Sequence, residues 1–222
     1  MKQWISSNRG FLIFLMCLGV FRTAIADWNP VPTGSMRPTI LEGDVVLVNR
    51  LAYDFKIPLT DVSLAKTGEP RRGDIVTFSS PKDGTRLIKR LVAVPGDVVE
   101  MKDEVLFINH QPAQYSELTS AAEPMGPGFQ IASTHATEHI SGSSRAVQFL
   151  PSIEARRNFG PQVVPPDQYF MLGDNRDNSA DSRYIGLVPR KLLIGQAQHV
   201  LVSANITENW MPRLGRFGST LQ

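Results

Sequence analysis

Arg86-Leu87-Ile88-Lys89-Arg90-Leu91-Val92-Ala93-Val94-Pro95-Gly96-Asp97-Val98-Val99-Glu100-Met101 joins two apolar, β-branched runs through a Pro-Gly-Asp turn. Such runs fit a pleated sheet, and Pro-Gly punctuation is too tight for a helix connection. The pattern repeats outward from here. Asp44 to Asn49 reads as a strand after a Glu42-Gly43 turn, and Ile75 to Phe78 follows the turn Arg72-Gly73-Asp74. Pro81-Lys82-Asp83-Gly84 reads as a hairpin turn into Arg86, and Val105 to Ile108 is a further strand. Short strands at close spacing across 44–109 are an all-β signature. Residues 52–71 read as irregular. Residues 110–165 turn Ser/Thr/Ala/Gly/Pro-rich and read as an inserted lobe with a few short strands, such as Ala146 to Leu150. After Pro165-Pro166, Tyr169 to Leu172 is a strand, and Lys191 to Val202 a last one with an irregularity at Gly195. The expected fold is mainly β, an antiparallel β-sheet core of 27–109 and 166–205. It carries the smaller lobe 110–165, an N-terminal segment 1–26 and a C-terminal tail 206–222.

The chain of 222 residues is long enough for one domain with a real core and a smaller lobe. A net charge of +2 without a Lys/Arg block argues against a nucleic-acid partner. The single cysteine, Cys17, excludes an intramolecular disulfide and a cysteine-built zinc site. The N-terminus carries Lys2 and Arg9, an apolar run from Phe11 to Phe21, and then Arg22. From Ile5 to Ala26 it has the length of a membrane span, with arginines placed to snorkel at either end. The short apolar run and Ala24-x-Ala26 fit a cleavable signal peptide as well. Under both readings the early positive charges stay inside and the bulk of the chain crosses the membrane.

Two segments hold the halves of a proton-transfer pair. In a strand, Leu87, Lys89, Leu91 and Ala93 share a face. An ammonium among leucines loses hydration, so its pKa falls. Moving it from about 10.4 into a working range costs roughly 3–4 kcal/mol, which a packed site can supply. A lone strand lysine more often snorkels from an edge, so Lys89 gains weight only from its companions. Ser35, in Pro32-Thr33-Gly34-Ser35-Met36-Arg37-Pro38-Thr39, sits on a loop stiffened by proline at both ends. Serine is a poor nucleophile until a base takes its proton. Gly34 frees the backbone to aim the Ser35 amide, and Thr33 adds a hydroxyl; the two together make an oxyanion hole. A third segment, Gly173-Asp174-Asn175-Arg176-Asp177-Asn178-Ser179-Ala180-Asp181-Ser182-Arg183, is dense in hydrogen-bonding side chains. A calcium loop fits poorly, because Arg176 stands at a ligand position and the turn glycine and closing glutamate are absent. A buried network that fixes its neighbours fits better.

These segments, with Arg72-Gly73-Asp74-Ile75-Val76-Thr77-Phe78 and Pro95-Gly96-Asp97, occur in the order seen in bacterial type I signal peptidases, the Ser/Lys leader peptidases, which the chain resembles from about Phe21 to about Val202. The resemblance implies a serine endopeptidase that removes signal peptides from exported preproteins after a small-x-small, often Ala-x-Ala, motif. It implies Ser35 as nucleophile, Lys89 as general base, and the Ser35 amide with the Thr33 hydroxyl as oxyanion hole. Many relatives have Ser at the Thr33 position. Ser179 matches the hydroxyl that orients the base, Asp181 and Arg183 a supporting ion pair, Gly173 a residue packed near the lysine, and Met36 a neighbour of the nucleophile. The resemblance also favours an uncleaved anchor over a cleaved signal peptide. The chain is then single-pass in the bacterial inner membrane with its catalytic domain on the periplasmic side, in contact with the lipid bilayer. Many Gram-negative relatives have two spans, and this chain has room for one. Ala24-Ile25-Ala26 stands as a self-cleavage site. No metal or cofactor is implied.

Rival readings rest on other residues. A histidine-based hydrolase would use His110, His135, His139 or His199, none of which lies in a matching motif. His135 and His139 have metal-ligand spacing for a helix, but their Ser/Thr/Gly-rich setting reads as a loop. A specialised relative that matures one pilin-like or conjugative substrate shares every motif. A catalytically silent membrane-tethered β-domain has no need of both Ser35 and Lys89. The tail, with Trp210, Met211 and Phe217 among arginines, fits either an interfacial contact or a free terminus.

Overall fold

The computed structural model describes residues 4, 7–60, 62–126 and 129–221. A helix, Arg9–Ala24, leads into the strands β1 (Ala26–Pro30), β2 (Asp44–Asn49), β3 (Asp54–Lys56), β4 (Ser63–Lys66), β5 (Ile75–Ser79) and β6 (Arg86–Ala93). Next come β7 (Val98–Lys102), β8 (Val105–Ile108), β9 (Gln111–Pro112), β10 (Gln114–Gly126), β11 (Phe129–Ile140) and β12 (Ser143–Phe149). The chain closes with β13 (Phe159–Val163), β14 (Gln168–Leu172), β15 (Val188–Pro189) and β16 (Leu193–Ser203). The fold is mainly β and antiparallel.

The largest sheet has 7 strands in the order β1-β2-β16-β5-β6-β14-β15. β10-β11-β12 form a three-stranded sheet, β13-β7-β8-β9 a four-stranded one, and β3-β4 a hairpin. Alternation sets the burial: β2 reads Asp44 in, Val45 half out, Val46 in, Leu47 half out. Its inward Val46 and Val48 pack with Val31, Met36 and Ile40, a cluster directly beneath the Ser35 loop. Leu91 packs with Val76, Phe78 and Met171 on the neighbouring strands. The irregularity expected at Gly195 is a register shift between Leu193 and Gly195 against β5. A Cβ there would lie 3.0 Å from the Arg50 Cα and crowd the Asn49 carbonyl, so β2 leaves room only for glycine.

Four expectations need correction. The stretch 52–71, expected to be irregular, holds the β3-β4 hairpin, with Asp54 facing Lys66. The strands within 110–165 are long: β10 has 13 residues and β11 has 12, because alternating Thr, Ala and His side chains sustain a pleat despite the polar composition. His135 and His139 therefore lie on a strand; the two ring nitrogens of His139 meet Ser116 and Ser144 at 2.7 Å each. The tail is neither free nor loose. It returns alongside β16, with Val200 N donating to Ser219 O at 2.9 Å and Leu221 N to Gln198 O at 2.8 Å. Arg216 pins it to Asp44 and to the Thr39 carbonyl.

The described N-terminal helix, Arg9–Ala24, covers part of the expected span. Its 16 residues rise about 24 Å, short of the roughly 30 Å apolar thickness of a bilayer. Among the described residues no helix is long and apolar enough to cross a membrane. Residues 1–3 and 5–6 of the expected segment lie outside those described. The helix ends early because Ile25 O accepts a hydrogen bond from Arg50 N and Ala26 already pairs with Asn49 in the sheet.

Candidate active site

Lys89 lies on β6 and Ser35 on the loop between β1 and β2, and the fold brings Lys89 Nζ to 2.6 Å from Ser35 Oγ. Both are buried, at 3% and 8% exposure. Lys89 Nζ also donates to the Ile88 carbonyl at 2.9 Å. Burial pushes the lysine down to about 8, against the opposing pull of the Asp181 and Asp174 carboxylates, which favour its charged form. Desolvation outweighs these carboxylates because neither makes a hydrogen bond with the amine, whereas each is already spent on an arginine.

The loop carrying Ser35 is held from three directions. Met36 is fully buried in the cluster below it. Asn175 N donates to the Ser35 carbonyl at 3.2 Å, and Asn175 Nδ2 to the Gly34 carbonyl at 3.1 Å. Thr39 Oγ1 donates to Asp174 Oδ2 at 2.6 Å. Among the described residues the Ser35 amide and the Thr33 hydroxyl have no hydrogen-bond partner, and Thr33 is exposed.

The segment from Gly173 to Arg183 is buried, with Asn178 and Ala180 as the exposed exceptions. Asp181 accepts from Arg183 Nε and Nη2 at 2.8 Å each and from Gly173 N at 3.1 Å. Arg183 in turn donates to the Arg176 carbonyl. Gly173 is required by close approach: a Cβ there would overlap Ser179 Oγ and the Ser35 carbonyl oxygen. Ser179 Oγ is buried and has no hydrogen-bond partner, so it is not bonded to Lys89 in this state.

Two contributors were not singled out from the sequence. Arg90 grips Asp174 and also donates to the Gly73 carbonyl at 2.8 Å. Asn175 ties the serine loop, as above. Both sit in quoted motifs, Arg90 beside Lys89 and Asn175 beside Asp174, but a motif does not say which loop its side chains will reach. Glu138, buried between Arg176 and Arg145 and accepting from Tyr115 Oη at 2.8 Å, roots the same segment in β11.

Ser35 and Lys89 open onto a groove of about 380 Å³ lined by Pro30, Val31, Pro32, Thr33, Leu87 and Ile88, among others. β1 is an edge strand, and β14 pairs with β6 only from Arg90 onward, so the Arg86–Lys89 edge is open there. Arg86 closes one end through hydrogen bonds to Asp27 and Asn29. Ala24 ends the helix and Ala26 opens β1, paired with Asn49 of β2, so the bond after Ala26 lies within the sheet.

The sequence profile of the family described as signal peptidase, peptidase S26, matches residues 1–202. A signal peptidase I of Pseudomonas fluorescens is 34% identical over 90% of this chain and 72% of its own length. One of Rickettsia typhi is 35% identical over 87% and 79%, and one of Buchnera aphidicola from Schizaphis graminum 31% over 94% and 78%. A solved structure of a signal peptidase I from Enterococcus faecalis V583 aligns at 30% identity over 58% of this chain and 96% of that one, with a TM-score of 0.35.

Proposed function

The chain belongs to the signal peptidase family, peptidase S26, and is a serine peptidase acting as a signal peptidase I, and from that premise we propose that it works through a Ser35–Lys89 dyad. The observation that carries the reading is the 2.6 Å approach of a buried lysine to a buried serine. A neutral Lys89 accepts the Ser35 proton as Oγ bonds to the scissile carbonyl carbon. The oxygen, now negative, rests on the Ser35 amide and the Thr33 hydroxyl, neither of which has a partner among the described residues. Lys89 then delivers its proton to the leaving amine. Water, losing a proton to the neutral lysine, hydrolyses the acyl-enzyme. The unpartnered Ser179 hydroxyl is suited to orient the amine through these transfers, and Asp181, held by Arg183, keeps Gly173 close-packed beside them.

The substrate is an extended preprotein segment. It adds between the open edges of β1 and Arg86–Lys89, where main-chain hydrogen bonds supply binding and the groove selects side chains. The apolar walls of Val31, Leu87 and Ile88 suit short aliphatic side chains, and a small-x-small motif follows by exclusion of larger ones. The exported preprotein must present its cleavage bond near a bilayer. The exposed Phe11, Ile13, Phe14 and Met16 of the N-terminal helix fit lipid contact.

Cleavage of a purified preprotein bearing an Ala-x-Ala site, in detergent, by wild type, Ser35→Ala and Lys89→Ala tests the reading. Wild-type cleavage after the second Ala, absent from both variants, is the expected result. Equal activity in all three would reject the dyad.

A further inference from the structure

Glu123 belongs to β10, outside the main sheet, yet its carboxylate reaches Arg37, two residues past Ser35. Arg37 Nη1 forms an ion pair with Glu123 Oε1, and Arg37 Nε donates to Glu42 Oε2 at 2.6 Å. The side chains of Arg37 and Glu123 are 9% and 8% exposed. A guanidinium hydrogen-bonded to Glu42 and ion-paired with Glu123 away from water has little freedom. With Glu42 it lies across Gly34: a Cβ built there would meet Glu42 Oε1 at 2.7 Å, Arg37 Nε at 3.0 Å and Arg37 Cδ at 3.1 Å.

Gly34 matters because its carbonyl and the Ser35 N–H share one planar peptide unit. That carbonyl accepts from Arg37 N and Asn175 Nδ2, each at 3.1 Å. A trans peptide sends its C=O and N–H in opposite directions, so whatever fixes the Gly34 carbonyl also aims the Ser35 amide.

The geometry points to Glu123 as a positioning residue that acts through Arg37 to hold the Gly34–Ser35 peptide unit in the orientation oxyanion binding needs. The inference rests on the reading of Ser35 as nucleophile. Glu123 itself touches no reacting atom. The β10–β11 hairpin thereby carries a rate determinant into a site built by other strands.

Glu123→Gln keeps the size of the side chain and removes its charge, while Glu42 still pairs with Arg37. Steady-state cleavage of the Ala-x-Ala preprotein is expected to show kcat about tenfold lower, a fraction of what loss of a whole oxyanion donor costs. KM should stay within about twofold and the melting temperature should not move. In an Arg37→Met background, Glu123→Gln should add nothing, because the coupling runs through the guanidinium. Glu123→Asp, which keeps the charge with a shorter reach, should fall between wild type and Glu123→Gln. Glu117→Gln, exposed on the same hairpin, should match wild type. A wild-type kcat in Glu123→Gln, an undiminished loss in the Arg37→Met background, or a loss confined to KM would overturn the inference. Ser35→Ala, run alongside, separates the two readings. If it is inactive while Glu123→Gln is normal, only the positioning role falls; if it is active, the nucleophile reading falls.

Discussion

Arg90 and Asp174 hold each other through two parallel hydrogen bonds of 2.8 Å, with side chains 2% and 1% exposed. The pair joins β6, which carries Lys89, to the segment whose Asn175 holds the Ser35 loop. Removing one partner takes from the other, still buried, its two-bond contact with an opposite charge. Asp174→Asn or Arg90→Met alone should therefore destabilise by about 3–5 kcal/mol. Denaturant unfolding measures this; a loss below about 1 kcal/mol would mean that the two segments are held together by other contacts.

Activity should rise with pH through about 8, because only the neutral Lys89 can accept the Ser35 proton. Stability should rise too, in a higher window. Below 8 the lysine is protonated in both states and the folded state bears the cost of a buried ammonium; above 10.5 it is neutral in both. Between these values the unfolded chain binds more protons, so wild type gains about 3 kcal/mol relative to Lys89→Met. Denaturation of both proteins at about pH 7, 9 and 10.5 checks the slope.

Ser179→Ala should lower kcat by about tenfold or more while leaving stability equal or slightly raised. The reason is that Ser179 Oγ is buried without a partner, so deleting it removes a desolvation cost and no bond. A matching fall in kcat and melting temperature would instead mark a packing role.

Thr33→Ser should keep most activity, whereas Thr33→Val should lose about 10²–10³-fold in kcat with KM little changed, as loss of an oxyanion donor does. Equal rates in the two variants would remove the Thr33 hydroxyl from the mechanism.

Gly173→Ala places a methyl against Ser179 and the Ser35 carbonyl. Overpacking against backbone should cost about 1–3 kcal/mol and displace the serine loop, lowering kcat more than KM. A crystal structure of the variant would locate the displacement directly.

Local patterns made much of this legible. The strand runs around Lys89 and Val46 follow from alternation, and the turns from Pro-Gly and Gly-Asp pairs, because both depend on neighbours in the chain. The polar segment from Gly173 was readable as a network because Asp, Asn and Arg at that density need partners. The strands of β10 and β11 were less visible, since their Ser/Thr-rich composition resembles a loop until the partner strand is known. The docking of the tail was hidden for a similar reason: the acceptors of Arg213 and Arg216, the Glu42 carbonyl and Asp44, lie far back in the sequence.

By itself the sequence determined that the protein is mainly β, because local period states it, and it singled out Ser35, Lys89 and the Gly173 segment as the candidate site, because their residue types occur in motifs that resemble a known family. Only the tertiary structure decided that Lys89 Nζ would stop 2.6 Å from Ser35 Oγ, that Arg90 would anchor Asp174, and that Glu123 would reach Arg37. Those distances depend on how strands remote in the chain stack and bend. No local pattern encodes them, since each is fixed by the summed packing of both partners' surroundings.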